Sequence, residues 1–326
     1  MPTRVSWLIP VRDGAQWLGA AVRSALADSL PDDELIVVDD GSADAPESVL
    51  PADPRIRLLH QPPLGIVAAL EAGRAVAGGD LIARLDCDDL VIPGRLAAQR
   101  PLFCDPAIAA VGGQARAISD GDVPEGMAHY VAWVNGLLDP HRELLVESPM
   151  FHPATTLRAS AVAAIGGYRQ GPFPEDYDLF LRLAAAGFRL TNLQREVLFW
   201  RDRPGRLTRT DPRYARAAYL PLKQAWLANG PLRTPRRVVL WGGNRTCRPW
   251  LRWLLEAGHD VPCLVDLAPF VSRRERPVVR PEAIITERFD LLLVAVGSRG
   301  ARDEIRARIR MLRPDLVEGR DWFALS

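Results

Sequence analysis

Two aspartates, Asp86 and Asp88, stand two positions apart at the end of the β-rich run Asp80–Asp86. Residues i and i+2 of an extended strand project to the same side, so both carboxylates can face one ligand. Carboxylate and phosphate oxygens are the ligands that Mg²⁺ and Mn²⁺ take, and such a cation would neutralise a departing diphosphate. An isolated Asp-x-Asp pair is more often a solvated turn, so the pair alone is not specific.

A second acidic pair, Glu175 and Asp176, opens an apolar-periodic segment after Pro172-Phe173-Pro174. Acids are favoured in the first turn of a helix by the helix dipole, so a structural role is the simpler interpretation of their spacing. A carboxylate placed within about 3 Å of a substrate hydroxyl can also act as a general base. The spacing leaves both interpretations open.

The first ninety residues contain the elements that would position these acids. Strands that alternate with helices imply a mostly parallel sheet in an α/β fold, and ligands bind beyond the carboxyl ends of such strands. Two of the strands end in acids, at Asp39 and at Asp86, so we expect these acids at one edge of the sheet. The predicted elements are strands at Val5–Pro10, Glu34–Asp39, Ile56–His60 and Asp80–Asp86, and helices at Ala15–Ala27 and Ile66–Ala77.

A second α/β pattern begins after Gly230-Pro231 and Thr234-Pro235, which punctuate the chain as a linker would. We therefore predict two domains, residues 1–232 and 233–326. The pattern favours strands at Arg237–Trp241, Val261–Val265 and Phe289–Val296, and helices at Cys247–Ala257 and Ala301–Leu312. Earlier in the chain it favours a strand at Ile108–Val111 and helices at Tyr130–Leu138 and Tyr214–Asn229.

The composition limits the partners. With 48% hydrophobic and 25% charged residues, the chain is typical of soluble globular proteins and can form two cores. A net charge of +1 indicates neither a nucleic acid nor an anionic membrane as partner. The four cysteines show no zinc-type spacing, and no run approaches the roughly 20 apolar residues that span a bilayer. We expect a cytoplasmic protein with at most a peripheral contact at the inner face of the membrane.

Several segments, in order and at the right separations, resemble glycosyltransferase family 2 and its GT-A fold. The resemblance covers about residues 4–210, and Pro93, Arg95 and Gln99 follow the acids as in bacterial members. The matching segments are Val5–Ala15, Val37–Ser42, Ile82–Asp89, His152–Arg158, Gly166–Tyr168 and Glu175–Leu183.

The resemblance implies roles on the donor side. Asp39 would hydrogen-bond the nucleotide base, and Pro10 and Arg12 would border that base. Asp86 would lie against the ribose and the metal, and Asp88 would be the direct metal ligand. The family position of Arg12 often carries tyrosine, and a guanidinium plane can also stack on a base.

Two further positions depart from the family pattern. Glu71 stands where relatives often have asparagine. Many relatives carry a histidine shortly after the arginine in the segment Phe199–Gly205, and this chain has none there. A third protein ligand to the metal is therefore not indicated by the sequence.

On the acceptor side, the resemblance makes Asp176 the general base, with Glu175 orienting the loop or sharing the role. His152 is a candidate contact to phosphate or acceptor, although a histidine beside a proline is more often packed and hydrogen-bonded. Tyr130, Trp133 and Trp200 are candidates for a sugar platform, although aromatic residues at these spacings are more often core.

The implied function is an inverting transfer from a nucleoside-diphosphate sugar, UDP-linked, to a hydroxyl of a glycan or lipid-linked acceptor. Mn²⁺ or Mg²⁺ would be the cofactor, bound at Asp86 and Asp88, and the mechanism would be an in-line displacement.

Two other functions remain open at this point. Val238–Asn244 resembles the first turn of a Rossmann-like unit, and Asp266 ends the next strand, where a ribose-binding acid could lie. An NAD(P)-dependent oxidoreductase would use this unit, but Asn244 and Cys247 occupy the other two positions of the glycine pattern that starts at Gly242. A non-catalytic nucleotide-sugar-binding or scaffold protein is the other alternative, and the intact acids argue against it.

Overall fold

The computed structural model describes residues 3–119, 121–243, 245–267, 276–298 and 300–326. They form two compact units, residues 1–140 with 148–222, and residues 141–147 with 223–326. The change from the first unit to the second falls inside one helix, at Leu222 and Lys223. Independent folding of residues 1–232 stays a prediction.

The first unit contains a mixed sheet with helices, in agreement with the predicted α/β class. Its strands are β1 (Val5–Val11), β2 (Glu34–Asp39), β3 (Ile56–His60), β4 (Leu81–Arg84), β5 (Leu90–Val91), β6 (Ile108–Ser119), β7 (Thr156–Arg158) and β8 (Arg189–Asp202). Its helices are α1 (Ala15–Asp28), α2 (Ile66–Val76), α3 (Arg95–Gln99), α4 (Glu125–Asn135), α6 (Ala159–Ala164), α7 (Glu175–Ala185) and α8 (Leu207–Thr210), while the residues of α5 (Pro140–Glu143) and α9 (Arg216–Asn229) are divided between the two units.

Eight of the described strands form one sheet, in the order β3-β2-β1-β4-β7-β6-β8-β5. The first four are parallel, whereas β7 runs antiparallel to both of its neighbours. All seven residues of β1 are buried, as expected for a central strand that is covered on both faces. Helix α1 packs with Leu18, Ala21, Val22 and Ala25 turned inward.

Helix α2 lies close to the sheet because Gly73 has no side chain. A Cβ at this position would stand 2.1 Å from Leu8 Cδ1 and 3.0 Å from Val38 Cγ2. Glycine inside a helix costs roughly 1 kcal/mol relative to alanine, and here it permits the close approach of helix and strands.

The register of the parallel strands brings the two acidic strand ends to one edge. Val11 pairs with Asp39 on one side of β1, and Leu8 pairs with Arg84 on the other. The chain leaving Arg84 therefore carries Asp86 past the same end of β1. Two strand spacings amount to about 10 Å, which one bound nucleotide diphosphate can span.

The second unit is a smaller α/β structure. Its strands are β9 (Val238–Trp241), β10 (Leu264–Val265), β11 (Val278–Val279), β12 (Leu291–Val294) and β13 (Trp322–Ala324), and its helices are α10 (Cys247–Glu256) and α11 (Ala301–Leu312). The strands form a parallel sheet in the order β11-β10-β9-β12-β13. Counted within the unit this order is 3-2-1-4-5, which is that of doubly wound α/β sheets.

Residues 141–147 are separate in sequence from the rest of the second unit but fold as part of it. Glu143 is buried and binds Arg306 at 2.6 Å and Arg302 at 3.2 Å. Buried Lys223 donates hydrogen bonds to the carbonyl oxygens of Val146 (2.7 Å) and Leu325 (3.0 Å). Since charged groups are rarely buried unless they are paired, these contacts fix the segment firmly.

Two sequence expectations concern the chain as a whole. Within the described ranges, no helix combines the length and apolar character needed to cross a bilayer. All four cysteines lie in those ranges, and none takes part in a disulfide bond. The cytoplasmic location stays a prediction.

Candidate functional site

Three carboxylates cluster just beyond the end of β4. Asp86, Asp88 and Asp89 each offer an oxygen atom, and these oxygens all lie within 4.8 Å of one another. Asp88 and Asp89 are buried, whereas Asp86 is partly exposed. The sequence pattern singled out Asp86 and Asp88 but not Asp89, which joins them because the chain turns back immediately after the strand.

Two arginines already bind the cluster. Arg84 Nη2 lies 2.5 Å from Asp86 Oδ1, and the Arg84 side chain is only 2% exposed. Arg203 Nε donates to Asp88 Oδ2 at 2.6 Å, and its guanidinium lies over the ring of Trp17, 4.7 Å from the centroid. Two of the three carboxylates therefore have a cationic partner.

Asp89 differs from its neighbours because no cationic side chain among the described residues contacts it directly. Its Oδ1 accepts a hydrogen bond from the backbone N–H of Arg201 at 2.7 Å, while its Oδ2 is buried without a hydrogen-bond partner among the described residues. Burial, and then the negative charges of Asp86 and Asp88, raise the pKa of Asp89 well above its usual value. An all-oxygen ligand set with one unsatisfied buried oxygen fits a hard divalent cation.

Asp39 lies at the end of β2 and is hydrogen-bonded on both oxygens. Its Oδ1 accepts from the N–H of Ser42 at 2.9 Å, and its Oδ2 lies 3.0 Å from Nδ1 of the half-exposed His60. Burial alone would raise the pKa of Asp39, but the hydrogen bonds from Ser42 and His60 outweigh it and lower the pKa. A carboxylate that stays ionised in this way can accept an N–H from a base.

The two other donor-side candidates flank Asp39. Pro10 is buried within β1 and pairs with Val38, one residue before Asp39. The Arg12 side chain is 54% exposed and lies 3.9 Å from Asp40. Its guanidinium is therefore accessible to a ligand at this edge of the sheet.

Glu175 and Asp176 form the first residues of α7. Glu175 is buried and accepts a hydrogen bond from the hydroxyl of Tyr214 at 2.6 Å. Asp176 is partly buried, and its Oδ1 accepts from the N–H of Tyr177 at 2.7 Å. Loss of hydration, and then the charge of Glu175, raise the pKa of Asp176 to about 7. The negative charge of Asp86 also contributes to this shift, so the two acidic groups act on each other electrostatically.

His152 is packed rather than exposed. It is 7% exposed, its Nε2 lies 2.8 Å from the hydroxyl of Tyr168, and its ring contacts Phe180 edge-on. Burial, and then the charge of Arg84, lower the pKa of His152 well below its usual value, so the ring is neutral. A direct contact of His152 with phosphate or acceptor stays a prediction.

The aromatic candidates also pack inward. Tyr130, Trp133 and Trp200 are partly buried against the hydrophobic core, and the Tyr130 hydroxyl donates to the carbonyl oxygen of Ser148 at 3.0 Å. Arg206 lies over the Trp200 ring, 4.1 Å from its centroid. These contacts favour a structural role over a sugar platform.

The glycine-containing turn of the second unit is held by its own acid. Gly243 N donates to Asp266 Oδ2 at 2.6 Å, and a Cβ at Gly243 would stand 2.5 Å from the same oxygen. Asn244, which occupies the next glycine position of the pattern, lies outside the described residues. Because Asp266 takes up the amide that would otherwise approach a pyrophosphate, this turn does not favour dinucleotide binding.

Comparisons with known proteins identify the family of this chain. Residues 6–166 match the family model for "Glycosyl transferase family 2". A putative glycosyltransferase of Bacillus subtilis, EpsE, is 31% identical over 206 residues, which are 60% of this chain and 72% of that protein. The chain covers 17% of one further curated glycosyltransferase and 30% of another, so those matches span a minor part of the relatives' length.

Two solved structures share the fold. A mannosyltransferase of Pyrobaculum calidifontis in complex with GDP-Man and Mn²⁺ aligns with a TM-score of 0.55 at 17% identity, over 79% of this chain and 69% of that one. The S. aureus protein TarS in complex with UDP-GlcNAc aligns with a TM-score of 0.54 at 15% identity, over 69% and 67%. At such identities the likeness establishes the GT-A fold alone. Taken with the family model and the relative from Bacillus subtilis, it leads to one conclusion: the chain belongs to glycosyltransferase family 2.

Proposed function

We propose that the chain transfers a sugar from a nucleoside-diphosphate sugar to an acceptor hydroxyl with inversion. Asp176 is the general base, Asp86 and Asp88 hold a divalent cation, and Asp39 contacts the nucleotide base. The observation that carries the proposal is the cluster of Asp86, Asp88 and Asp89, whose oxygens lie within 4.8 Å of one another, with a second acidic pair, Glu175 and Asp176, at the start of α7. Loss of hydration and the charges of Glu175 and Asp86 raise the pKa of Asp176 to about 7. A carboxylate with such a pKa is matched to accepting a proton at neutral pH.

The donor would lie along the edge of the sheet formed by the ends of β2 and β4. Asp39 offers an ionised carboxylate to a base N–H, and Arg12 offers an exposed planar guanidinium that can stack on the base. Asp86 and Asp88 would hold Mn²⁺ or Mg²⁺, which supplies Lewis-acid neutralisation of the leaving diphosphate.

The acceptor would enter from the side of α7. Asp176 takes the proton of the attacking hydroxyl as that oxygen forms the bond to the anomeric carbon. The hydroxyl of Tyr214, at 2.6 Å, holds Glu175 beside Asp176, and the charge of Glu175 is one of the causes that raise the pKa of Asp176. One base and one leaving diphosphate on opposite sides of the anomeric carbon give a single displacement, and hence inversion.

The nucleotide is proposed to be UDP, the nucleotide named in the TarS complex, although the mannosyltransferase complex names GDP. The acceptor is proposed to be a glycan or lipid-linked sugar, since a relative from Erwinia amylovora is named for amylovoran biosynthesis.

A panel of UDP- and GDP-sugars, incubated with the protein and Mn²⁺ or Mg²⁺ without acceptor, tests the proposal. We expect release of nucleoside diphosphate from one or a few donors, loss of that release with a chelator, and loss in Asp176→Asn. Thermal-shift titration with UDP plus Mn²⁺, compared with NADPH, separates the proposal from its alternatives. A shift with UDP–Mn²⁺ but no turnover in any variant would favour a non-catalytic binding protein, and a shift with NADPH alone would favour an oxidoreductase.

A further inference from the structure

We propose that Arg203 is an internal cation that occupies Asp88 in the absence of donor and transfers to the donor's diphosphate when it binds. Metal binding and diphosphate binding would then depend on each other through this one side chain. The inference rests on the proposed function of the same site.

The position of Arg203 allows such an exchange. Its Nε donates to Asp88 Oδ2 at 2.6 Å, and its side chain is 28% exposed against 10% for Asp88. No hydrogen-bond partner of its two Nη groups lies among the described residues, so four N–H donors remain available. The guanidinium is thus anchored at one edge on the carboxylate and open to an anion at the others.

Trp17 holds the guanidinium without using these donors. The Arg203 carbon Cζ lies 4.7 Å from the centroid of the Trp17 ring, on helix α1. Stacking on an aromatic face orients the plane of a guanidinium and leaves its N–H groups directed outward. Trp17 therefore fixes the orientation of the guanidinium while its N–H groups remain able to bind an anion.

A divalent cation and Arg203 compete for Asp88. A guanidinium carries no lone pair for a metal, so Arg203 cannot replace the histidine that many relatives have in this segment. A cation that approaches Asp88 alone meets both a carboxylate that is already paired and a positive charge next to it. We therefore expect divalent cations to bind weakly when no diphosphate is present.

A diphosphate removes this competition because it can bind the Arg203 guanidinium and the metal ion at the same time. It offers Arg203 a bidentate partner and offers the metal further oxygen ligands. Once Arg203 has moved to the phosphate, Asp88 is free to ligate the metal. The mutual dependence is a coupling free energy, so it must appear equally as metal strengthening diphosphate binding and as diphosphate strengthening metal binding.

Arg206 is a matched control on the same segment. It also stacks on a tryptophan, at 4.1 Å from the Trp200 ring centroid, and it donates to the carbonyl oxygen of Arg201 at 2.7 Å. It makes no hydrogen bond or ion pair with a carboxylate of the described residues. It resembles Arg203 in charge and stacking but not in its contact with Asp88.

Calorimetry on the full chain tests the proposal with three titrations, namely Mn²⁺ alone, UDP alone and UDP at saturating Mn²⁺. We expect Arg203→Gln to bind Mn²⁺ alone about 10-fold more tightly than the parent and to reduce the metal enhancement of UDP binding by about 10-fold, a common size for such coupling. Arg206→Gln should change both quantities much less than Arg203→Gln, because the charge of Arg206 acts on Asp89 only through space and Arg206 makes no contact with Asp88. Arg203→Lys keeps the positive charge, so it should bind Mn²⁺ alone as weakly as the parent does. This variant provides a second test if Arg203→Gln does not fold.

Two outcomes overturn the proposal: Arg203→Gln binds Mn²⁺ alone no more tightly than the parent, or its metal enhancement of UDP binding is unchanged. A parent protein that binds UDP in no condition contradicts the proposed function instead. In that case the titration of Mn²⁺ alone still decides whether Arg203 competes with a cation at Asp88.

Discussion

The two acidic groups of the first unit contain the same residue types in opposite electrostatic settings. At the end of β4, Asp86 and Asp88 each bind an arginine, at 2.5 and 2.6 Å. At the start of α7, neither Glu175 nor Asp176 forms an ion pair with a described residue, and Glu175 has a tyrosine hydroxyl as its partner. Asp86 and Asp88 therefore have a cation in contact, whereas Glu175 and Asp176 have none among the described residues.

The difference indicates what each group can do. Carboxylates that already contact a cation are suited to hold a divalent metal ion, which in turn can bind a diphosphate. An unpaired, partly buried carboxylate beside another acid resists ionisation, which raises the pKa of Asp176 to about 7 and makes it suited to accept a proton. Sequence position alone does not separate these roles, but the partner of each carboxylate does.

The largest effect is expected from Asp176→Asn, which removes the base and leaves the other acidic group intact. Turnover should fall about 10²–10⁴-fold, the usual contribution of general acid–base catalysis, while UDP affinity stays near that of the parent. Turnover of the best donor from the panel and calorimetry of UDP on the same protein measure the two effects. Near-normal turnover would remove Asp176 from the mechanism and shift the assignment to Glu175.

Asp88→Asn tests the other side of the comparison. The substitution removes one anionic oxygen from a site with few protein ligands, so metal-dependent UDP binding should weaken by about 100-fold. Losing a residue that only supports a metal ligand already costs up to about 100-fold in metal affinity. The measurement is UDP calorimetry with and without Mn²⁺. Equal metal enhancement of UDP binding in the variant and the parent would refute the assignment of Asp88 as a metal ligand. Asp89→Asn, which changes the carboxyl with the raised pKa, serves as the comparison.

The pH dependence should follow the acceptor-side group. Asp176 has a pKa of about 7 and acts in its ionised form, so turnover should rise with pH by about 10-fold between pH 6 and pH 8. The profile of kcat/KM for the free enzyme measures this value. A flat profile across that range would mean that Asp176 is already ionised well below pH 6, and the distinction between the two groups would disappear.

A smaller effect is expected in stability. The pKa of Asp176 is about 7 in the folded chain, above the value of about 3.9 for an aspartate in water, so this group stabilises the folded state at low pH and that contribution is lost as pH rises through 7. Asp176→Asn lacks this loss and should melt about 5 °C above the parent at pH 8, for an effect on the order of 2 kcal/mol. Below pH 4 the two melting temperatures should converge, as thermal unfolding across pH would show.

The sequence predicts those parts of the fold in which local pattern and burial agree. Strand β2 is found at Glu34–Asp39 and helix α11 at Ala301–Leu312, each as predicted, because an apolar run or a helical period is bounded there by polar residues. Asp39 at the end of β2 and Asp86 just after β4 are predicted in the same way, because an apolar run followed by aspartates predicts a buried strand with a polar edge.

Strand β8 was not predicted, and its pairing shows why. Arg189–Asp202 pairs with β6 through register shifts near Gly113 and Gln114, so its side chains do not keep a simple alternation of apolar and polar residues. The ion pair of Arg203 with Asp88 joins residues 115 positions apart and leaves no local signal. The membership of Asp89 in the acid cluster depends on the turn after β4, which propensity alone does not specify.

The segment 141–147 has a consequence for synthesis. Glu143 leaves the ribosome 163 residues before its partner Arg306, a delay of roughly 8–30 s at ordinary rates of translation. Once Leu222 has been synthesised, the first unit is complete in sequence, whereas segment 141–147 still lacks its partners in the rest of the second unit. We expect the nascent chain to present this loop to solvent or chaperones until its last residues emerge.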